Sequence, residues 1–458
     1  MRQRSPRNSQ QIACGESTTK LQISYVPISQ LRSNPANARR HSEKQITQIA
    51  RSISKFRFNS PILVDKNYVI LAGHGRYLAL KLLGWNVVPI LLLDHLTPEQ
   101  ATAFMLADNR LCENAEWDDR LLSEQFKILA AAEIDFDLEI TGFEMGEIDC
   151  LLEGMAPSGD DEELHDAIPG KESAVQICQA HDAWQLGKHR IYCENALEPT
   201  SFPALMQLDR AAAVFTDPPY NVRIAGHAGG LGGIKHKNFQ MASGEMTPSE
   251  FVDFLLRTLQ SVARHSVDGS IHYICIDWRH VEELISAGKR VYSELLNICV
   301  WVKDSGGMGS LYRSQHELIL VWKKGNGKHQ NNIQLGQYGR YRTNVWQYPG
   351  MNSFSRATTE GNLLCLHPTV KPVALVADAI MDCSKRGDIV LDSFLGSGTT
   401  VIAAERTGRV CYGMEIDPSY CDTAIRRWQD FTGLEAIHEP SGRSFNDFEK
   451  EAEHEPRS

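Results

Sequence analysis

The sequence predicts an α/β chain in which a large, doubly wound and mostly parallel sheet follows a smaller α+β domain. Three observations predict it. Between residues 190 and 414, short apolar runs alternate with helix-length segments, the pattern of strands joined by crossover helices. One run stops at a double proline, Pro218-Pro219, and another passes straight into a glycine-bearing turn, Gly396-Ser397-Gly398. A chain of 458 residues with 42% apolar content is enough for two sizeable cores.

Composition narrows the class. No run approaches the length of a membrane span, and the first twenty residues lack the apolar segment of a secretory signal. The 11 cysteines are scattered without a C-x-x-C pair, which points to a reducing cytoplasm and no structural metal. The net charge of −10 is concentrated in two segments. Residues 151–175 carry seven acids against one lysine, and residues 434–458 seven acids against three bases. The rest of the chain is neutral, so the overall acidity does not exclude a nucleic-acid partner.

Taken in order, residues 1–20 are polar and predicted to be disordered. Ile46, Ile49 and Ile53 fall on one helical face. Residues 61–64 and 68–71 read as short strands, the second leading into Gly73-His74-Gly75-Arg76 and a helix that stops at Gly84. This is either an anion site with Arg76 as phosphate partner or a tight turn that the arginine caps. Residues 97–153 read as helices, with Thr97-Pro98-Glu99-Gln100 a helix start; their spacing does not establish a helix-turn-helix. Residues 21–153 are therefore assigned to the first domain, 154–177 to an acidic linker, 178–433 to the second domain and 434–458 to a disordered tail.

In the second domain the run at 211–215 ends in Thr216-Asp217-Pro218-Pro219-Tyr220, at the carboxyl end of a strand, where open α/β sheets bind ligands. The prolines remove two donors and leave carbonyls to accept. An ionised Asp217 is acceptor-only, and Tyr220 offers a face for a planar base. The set suits a planar group carrying an NH2, whose lone pair is delocalised until both hydrogens are held by acceptors. The bland alternative is a strand-ending turn with a structural tyrosine.

The strand at 389–392 leads into Phe394, Gly396, Gly398 and Thr399, then a helix at 401–406 and a strand at 410–414 ending in Glu415. An acid there suits ribose hydroxyls. A dinucleotide fingerprint would need a third glycine where Val401 stands, and a phosphate-binding loop would need a lysine after Gly398. A nucleoside without a pyrophosphate fits better, and S-adenosylmethionine is one.

The combination of tetrad and turn resembles the amino-methyltransferases of DNA over residues 178–432. The tetrad precedes the cofactor turn, as in the permuted β group. The resemblance implies a Rossmann-like methyltransferase sheet, S-adenosylmethionine as cofactor and double-stranded DNA as partner, with the target base flipped out. It implies catalytic roles for Asp217, Pro218, Pro219 and Tyr220. For the cofactor it implies Asp392, Phe394, Gly396, Gly398, Thr399 and the ribose acid Glu415. His367-Pro368-Thr369-Val370-Lys371-Pro372 resembles the segment at the methionine end, which adds His367 and Lys371. Asn195 stands where relatives carry an Asp near the adenine. No Pro-Cys pair occurs, which excludes cytosine-C5 chemistry. Within the family, Asp at the first tetrad position leans towards adenine-N6; cytosine-N4 is the alternative.

Asn34-Pro35, Ala38-Arg39, residues 61–64 and Gly73-His74-Gly75-Arg76 resemble the ParB/sulfiredoxin-like superfamily over residues 21–95. This implies a nucleotide partner on Gly73, Gly75 and Arg76, although His74 and Gly75 depart from the usual ParB turn and the sulfiredoxin cysteine is missing. A rival from another class follows: a nucleotide-gated DNA-binding protein whose methylase half only binds. For DNA contacts, the basic and aromatic stretch 303–350 points to Arg313, Lys323, Arg340 and Arg342, and residues 226–237 suit a loop near the flipped base. The expected state is a monomer or homodimer.

Overall fold

The computed structural model describes residues 22–115, 117–132, 134–153, 175–222, 244–304, 306, 311–337, 340–349 and 370–454. Contacts divide the chain into two units, residues 1–122 with 132–143, and residues 123–131 with 144–458. The expected loop at 226–237, His367 and most of the linker at 154–177 lie outside the described residues.

The first unit is built from β1 (Ile23–Pro27), α1 (Glu43–Phe56), β2 (Ile62–Val64), β3 (Ile70–Ala72), α2 (His74–Leu82), β4 (Val87–Leu92) and α3 (Pro98–Glu113). Its four-stranded sheet runs β1-β4-β2-β3, with β2 and β4 parallel and the other pairs antiparallel. Ser42 caps α1, and Ile53 is buried with Ile46 and Ile49 packed beside it, the face the spacing predicts. Thr97 and Gln100 close a capping box at α3. α4 (Asp119–Ala131) follows.

The second unit takes in most of α4, residues 123–131, and continues with α5 (Met145–Glu153). Residues 144–153 were assigned by sequence to the first domain; the structure groups them here. The reason is Asp149, a fully buried carboxylate that accepts from Arg409 at 3.0 and 2.7 Å and from Arg386 at 3.3 Å. A buried charge needs its partners, so it draws its helix to them.

Then come β5 (Ala183–Leu186), β6 (His189–Cys193), α6 (Ser201–Met206), β7 (Ala211–Thr216), α7 (Pro248–Arg264), β8 (Ser266–Ile276), α8 (Val281–Gly288), β9 (Glu294–Val302), β10 (His316–Lys323) and β11 (Val345–Gln347). They are followed by α9 (Val373–Cys383), β12 (Ile389–Asp392), α10 (Thr399–Thr407), β13 (Val410–Glu415), α11 (Pro418–Thr432), β14 (Ile437–His438) and α12 (Phe445–His454). Among the described residues the sheet runs β11-β9-β10-β8-β7-β12-β13-β6-β5-β14. Its centre, β8-β7-β12-β13-β6, is parallel, with antiparallel additions on both sides. Phe215 faces a core shared with α9, α10 and α11, and Val214 faces one shared with α6. Both faces are covered, as a doubly wound sheet requires.

From β7 the chain moves outward to β8, and from β12 it moves the opposite way to β13, while β7 and β12 are neighbours. Their carboxyl ends therefore flank a topological switch point, the place where such sheets open a crevice.

The expectation of a disordered tail is corrected. β14 pairs with β5, and Phe445 is fully buried with its ring 5.3 Å from Trp184. Phe445, Phe448 and Ala452 share one helical face against that core, inside a composition that reads as acidic and solvated. Among the described residues, no helix is long and apolar enough to cross a membrane, and no cluster of metal-ligating side chains occurs.

Candidate active site

Asp217 follows the last residue of β7, and the glycine turn follows β12, so the sheet brings the two motifs to one edge. A direct link joins them. Thr216 donates its hydroxyl to Asp392 Oδ1 at 3.1 Å and lies 3.0 Å from Ser393 Oγ. Asp392 also accepts from the Phe394 amide at 3.1 Å and the Thr400 hydroxyl at 2.6 Å. Burial pushes its carboxyl up to about 6, against those three donors. Asp392 thus ties the turn together from inside.

Gly396 and Gly398 take positive φ angles of 55° and 84°. A Cβ on Gly398 would stand 2.7 Å from that of Ala424, so the turn packs on α11 as well as needing the conformation. The Gly396 amide donates to Glu415 Oε2 at 2.8 Å, and the Asp417 amide to Oε1 at 2.9 Å. Burial pushes Glu415 up to about 7, opposed by those two amides. Each of its oxygens keeps a further lone pair, so a hydroxyl donor is the partner it best accepts. Thr399 is buried and accepts from Arg427 at 3.1 Å. On the neighbouring strand, Asn195 follows β6, where the Glu194 amide donates to the Glu415 carbonyl at 2.9 Å. Asn195 Oδ1 accepts from the Leu197 amide at 2.9 Å, a bond that shapes its own turn.

At the tetrad, Pro218 is buried and Pro219 partly so. The Tyr220 hydroxyl donates to Asp217 Oδ1 and lies 3.3 Å from Glu317 Oε2. Lys371, expected from the sequence at the methionine end of a cofactor, lies against the tetrad. Its ammonium sits 2.5 Å from Asp217 Oδ2, 3.0 Å from Glu317 Oε2 and 3.1 Å from Tyr220 Oη. Lys303 pairs with the other Glu317 oxygen. Burial raises the Asp217 carboxyl, with Lys371 opposing and Glu317 adding to the rise. Burial alone would also raise Glu317, but the Lys371 and Lys303 ammonium groups override it and hold it at about 2.

Sequence reasoning missed Glu317 and Lys303 as site residues. The signal was present: Glu317 opens an apolar strand, Leu318 to Trp322, where a buried acid demands partners. It also missed Asn221, whose φ is 54°. The Asn221 side chain accepts from the Gly244 and Met246 amides at 3.1 and 3.2 Å and donates to the Met246 carbonyl at 2.8 Å.

The DNA-contact expectations divide. Arg313 is exposed just ahead of β10, at the Glu317 end. Lys323 closes β10 six residues past Glu317, at the other end of the strand, roughly 20 Å away by strand rise. Arg340 pairs with the buried Asp382 at 2.7 Å and Arg342 with the partly buried Asp378 at 2.8 Å, so both guanidinium groups are engaged inside the protein. Trp346 is core.

In the first unit, Gly73 (φ 98°) caps α2, and the Arg76 guanidinium folds back against it. A Cβ on Gly75 would meet Ile49 at 2.9 Å and His41 at 3.1 Å. A cavity of about 180 Å³ here is lined by Asn37, Arg39, His41, Gly73, Gly75 and Arg76 among others.

Comparison with known proteins finds three family matches along the chain. Residues 211–426 match the DNA methylase family, 13–110 the ParB N-terminal domain, and 120–179 the ParB-methyltransferase HTH domain. The last match covers a segment whose spacing did not disclose a helix-turn-helix. The ParB-like nuclease domain-containing protein YnaK of Escherichia coli (strain K12) is 42% identical over 81 residues, 18% of this chain and 93% of YnaK. The type II methyltransferase M.HpaI of Haemophilus parainfluenzae is 25% identical over 275 residues, 56% of this chain and 80% of that enzyme. Among solved structures, the PvuII DNA methyltransferase (cytosine-N4-specific) matches with a TM-score of 0.42 and 17% identity, over 58% of this chain and 93% of that one. The family takes its methyl group from S-adenosylmethionine, and the buried Glu415 beside a lysine-free glycine turn fits that nucleoside. Over residues 211–426, behind a ParB-like domain, this chain carries the methylase body of the S-adenosylmethionine-dependent DNA methyltransferases that act on exocyclic N6 or N4 amines.

Proposed function

We propose that the chain methylates the exocyclic N6 of adenine in double-stranded DNA, taking the base out of the helix to do so. The observation that carries this reading is Asp217 as the first residue of the tetrad, at the carboxyl end of β7 and one strand away from the glycine turn. S-adenosylmethionine, when bound, supplies a sulfonium methyl as the electrophile. Phe394, Gly396, Gly398 and Thr399 would hold it along the turn, with Glu415 on the ribose hydroxyls and Asn195 near the adenine.

The chain's own groups prepare the amine. Asp217 and the Pro218 carbonyl accept its two hydrogens, which localises the lone pair on nitrogen. Asp217, raised by burial, is placed to take the proton that the methylated nitrogen sheds. The Tyr220 ring supports the base. Arg313 contacts phosphate at the same edge. In the first unit, the cavity at Gly73, Gly75 and Arg76 takes a nucleotide, its phosphates meeting the α2 amino terminus and the guanidinium.

The test is direct. Plasmid DNA is incubated with methyl-labelled cofactor and the product nucleosides are identified by mass spectrometry. N6-methyladenine formed by the wild type and lost in Asp217→Ala is expected. N4-methylcytosine would overturn the choice of base, and an active Asp217→Ala would overturn the site.

A further inference from the structure

Asp217 faces a problem of supply. Each of its carboxylate oxygens already accepts one hydrogen bond, Oδ2 from Lys371 at 2.5 Å and Oδ1 from the Tyr220 hydroxyl, so a substrate amine must share one of them or displace its donor. Lys371 is saturated, since its three N–H donors meet three acceptors, Asp217 Oδ2, Glu317 Oε2 and Tyr220 Oη. It is also 4% exposed and cannot turn to water. The Tyr220 hydroxyl is different. It has one hydrogen and a second acceptor within reach, Glu317 Oε2 at 3.3 Å. Glu317 is itself fixed, with Lys303 on one oxygen and Lys371 on the other.

We propose that Glu317 is a positioning residue for methyl transfer: it takes over the Tyr220 hydroxyl when Asp217 turns Oδ1 to the substrate amine, and it keeps Lys371 on Oδ2 throughout. The inference rests on Asp217 being the amine acceptor. It explains why an acid precedes the apolar stretch Leu318–Trp322 of β10, at the tetrad edge of the sheet. Swapping Tyr220 between two carboxylates also lets the base enter without stranding a buried hydroxyl.

The groups facing Asp217 are Lys371 and Tyr220, Glu317 on β10, Cys275 on β8, Asp392 on β12 and, through Glu317, Lys303. The Glu317 charge opposes ionisation of Asp217, so neutralising it moves the ionisation of Asp217 to lower pH.

The experiment is single-turnover methyl transfer by the full chain with DNA in excess, across pH, for Glu317→Gln, Glu317→Asp and Asp217→Ala. Binding of S-adenosylhomocysteine is measured alongside. Glu317→Gln is expected to lower the rate between about ten- and about a hundred-fold. It should also move the acid limb to lower pH and leave the affinity for S-adenosylhomocysteine unchanged. Glu317→Asp keeps the charge but withdraws the acceptor, so the rate falls while the acid limb stays. A wild-type rate and pH profile in Glu317→Gln overturns the proposal, as does parallel loss of rate and affinity. Should the Gln variant not fold, a wild-type rate in Glu317→Asp overturns it alone. An active Asp217→Ala sinks the underlying site instead, so the two failures are distinguishable.

Discussion

Thr216 and Asp392 join the two halves of the site: one hydroxyl, buried at the end of β7, donates to a carboxylate buried at the end of β12, 3.1 Å away. The strand that ends at the Asp217 tetrad is thereby tied to the strand that presents the glycine turn. Thr216→Val keeps the shape and removes the donor. A loss of about 1 kcal/mol in urea unfolding is expected, because Asp392 retains Thr400 and the Phe394 amide. Methyl transfer should fall more than stability does, measured as kcat at saturating cofactor.

With Glu415 on the ribose hydroxyls, as proposed, cofactor binding is expected to release a proton. Burial places its carboxyl at about 7, above the ordinary glutamate range, so the free protein holds it partly protonated near neutrality. A raised acid contributes stability below its ordinary pKa and loses it as pH rises through about 7. Ribose hydroxyls donate to the ionised form and pull the pKa back down. Calorimetry of S-adenosylhomocysteine binding at pH 6.5, in buffers of different ionisation enthalpy, should show proton release, with affinity rising from about pH 5 to about pH 7. Glu415→Gln should abolish the linkage.

Asn221 pins residues 244–246 to the tetrad through three hydrogen bonds while sitting at φ 54°. Asn221→Ala loses the bonds and keeps the strained backbone. A cost of about 2 kcal/mol or more is expected. Asn221→Gly loses the same bonds but relieves the strain, and should be milder by about 1 kcal/mol. Equal destabilisation of the two variants would contradict this.

Arg313 and Arg340 should separate in DNA-binding assays. Arg313→Ala removes an exposed charge at the catalytic edge and should weaken DNA binding, lowering the salt-dependence slope by about one. Arg340→Ala exposes no DNA defect of that kind; it leaves Asp382 short of a partner and lowers the unfolding midpoint.

Phe445 anchors the end of the chain. Phe445→Ala opens a void against Trp184 and should cost about 3 to 5 kcal/mol. Truncation after residue 433 should leave an unstable methylase body, seen as a lower thermal midpoint.

Much of the site was legible in the residues alone. A double proline ends a strand wherever it falls, and two glycines followed by an acid at the end of the next strand mark a nucleoside turn from local geometry. Asp217, Gly396, Gly398 and Glu415 stand out as candidates this way, because strand ends and turns are set by near neighbours in the chain. The alternation of apolar runs likewise declares a doubly wound sheet, since each strand must be covered on both faces.

What the tertiary structure alone decided are the partners of charges. Lys371 and Glu317, 54 residues apart, meet because β10 runs antiparallel beside β8, and spacing carries no trace of that. Arg340 and Arg342 read as a basic patch until Asp378 and Asp382 are placed beneath them. The tail reads as solvated acid until Trp184 supplies the surface for Phe445. Backbone conformation and apolar periodicity are written locally, whereas a charge takes its meaning from whatever the fold puts within a few ångströms of it.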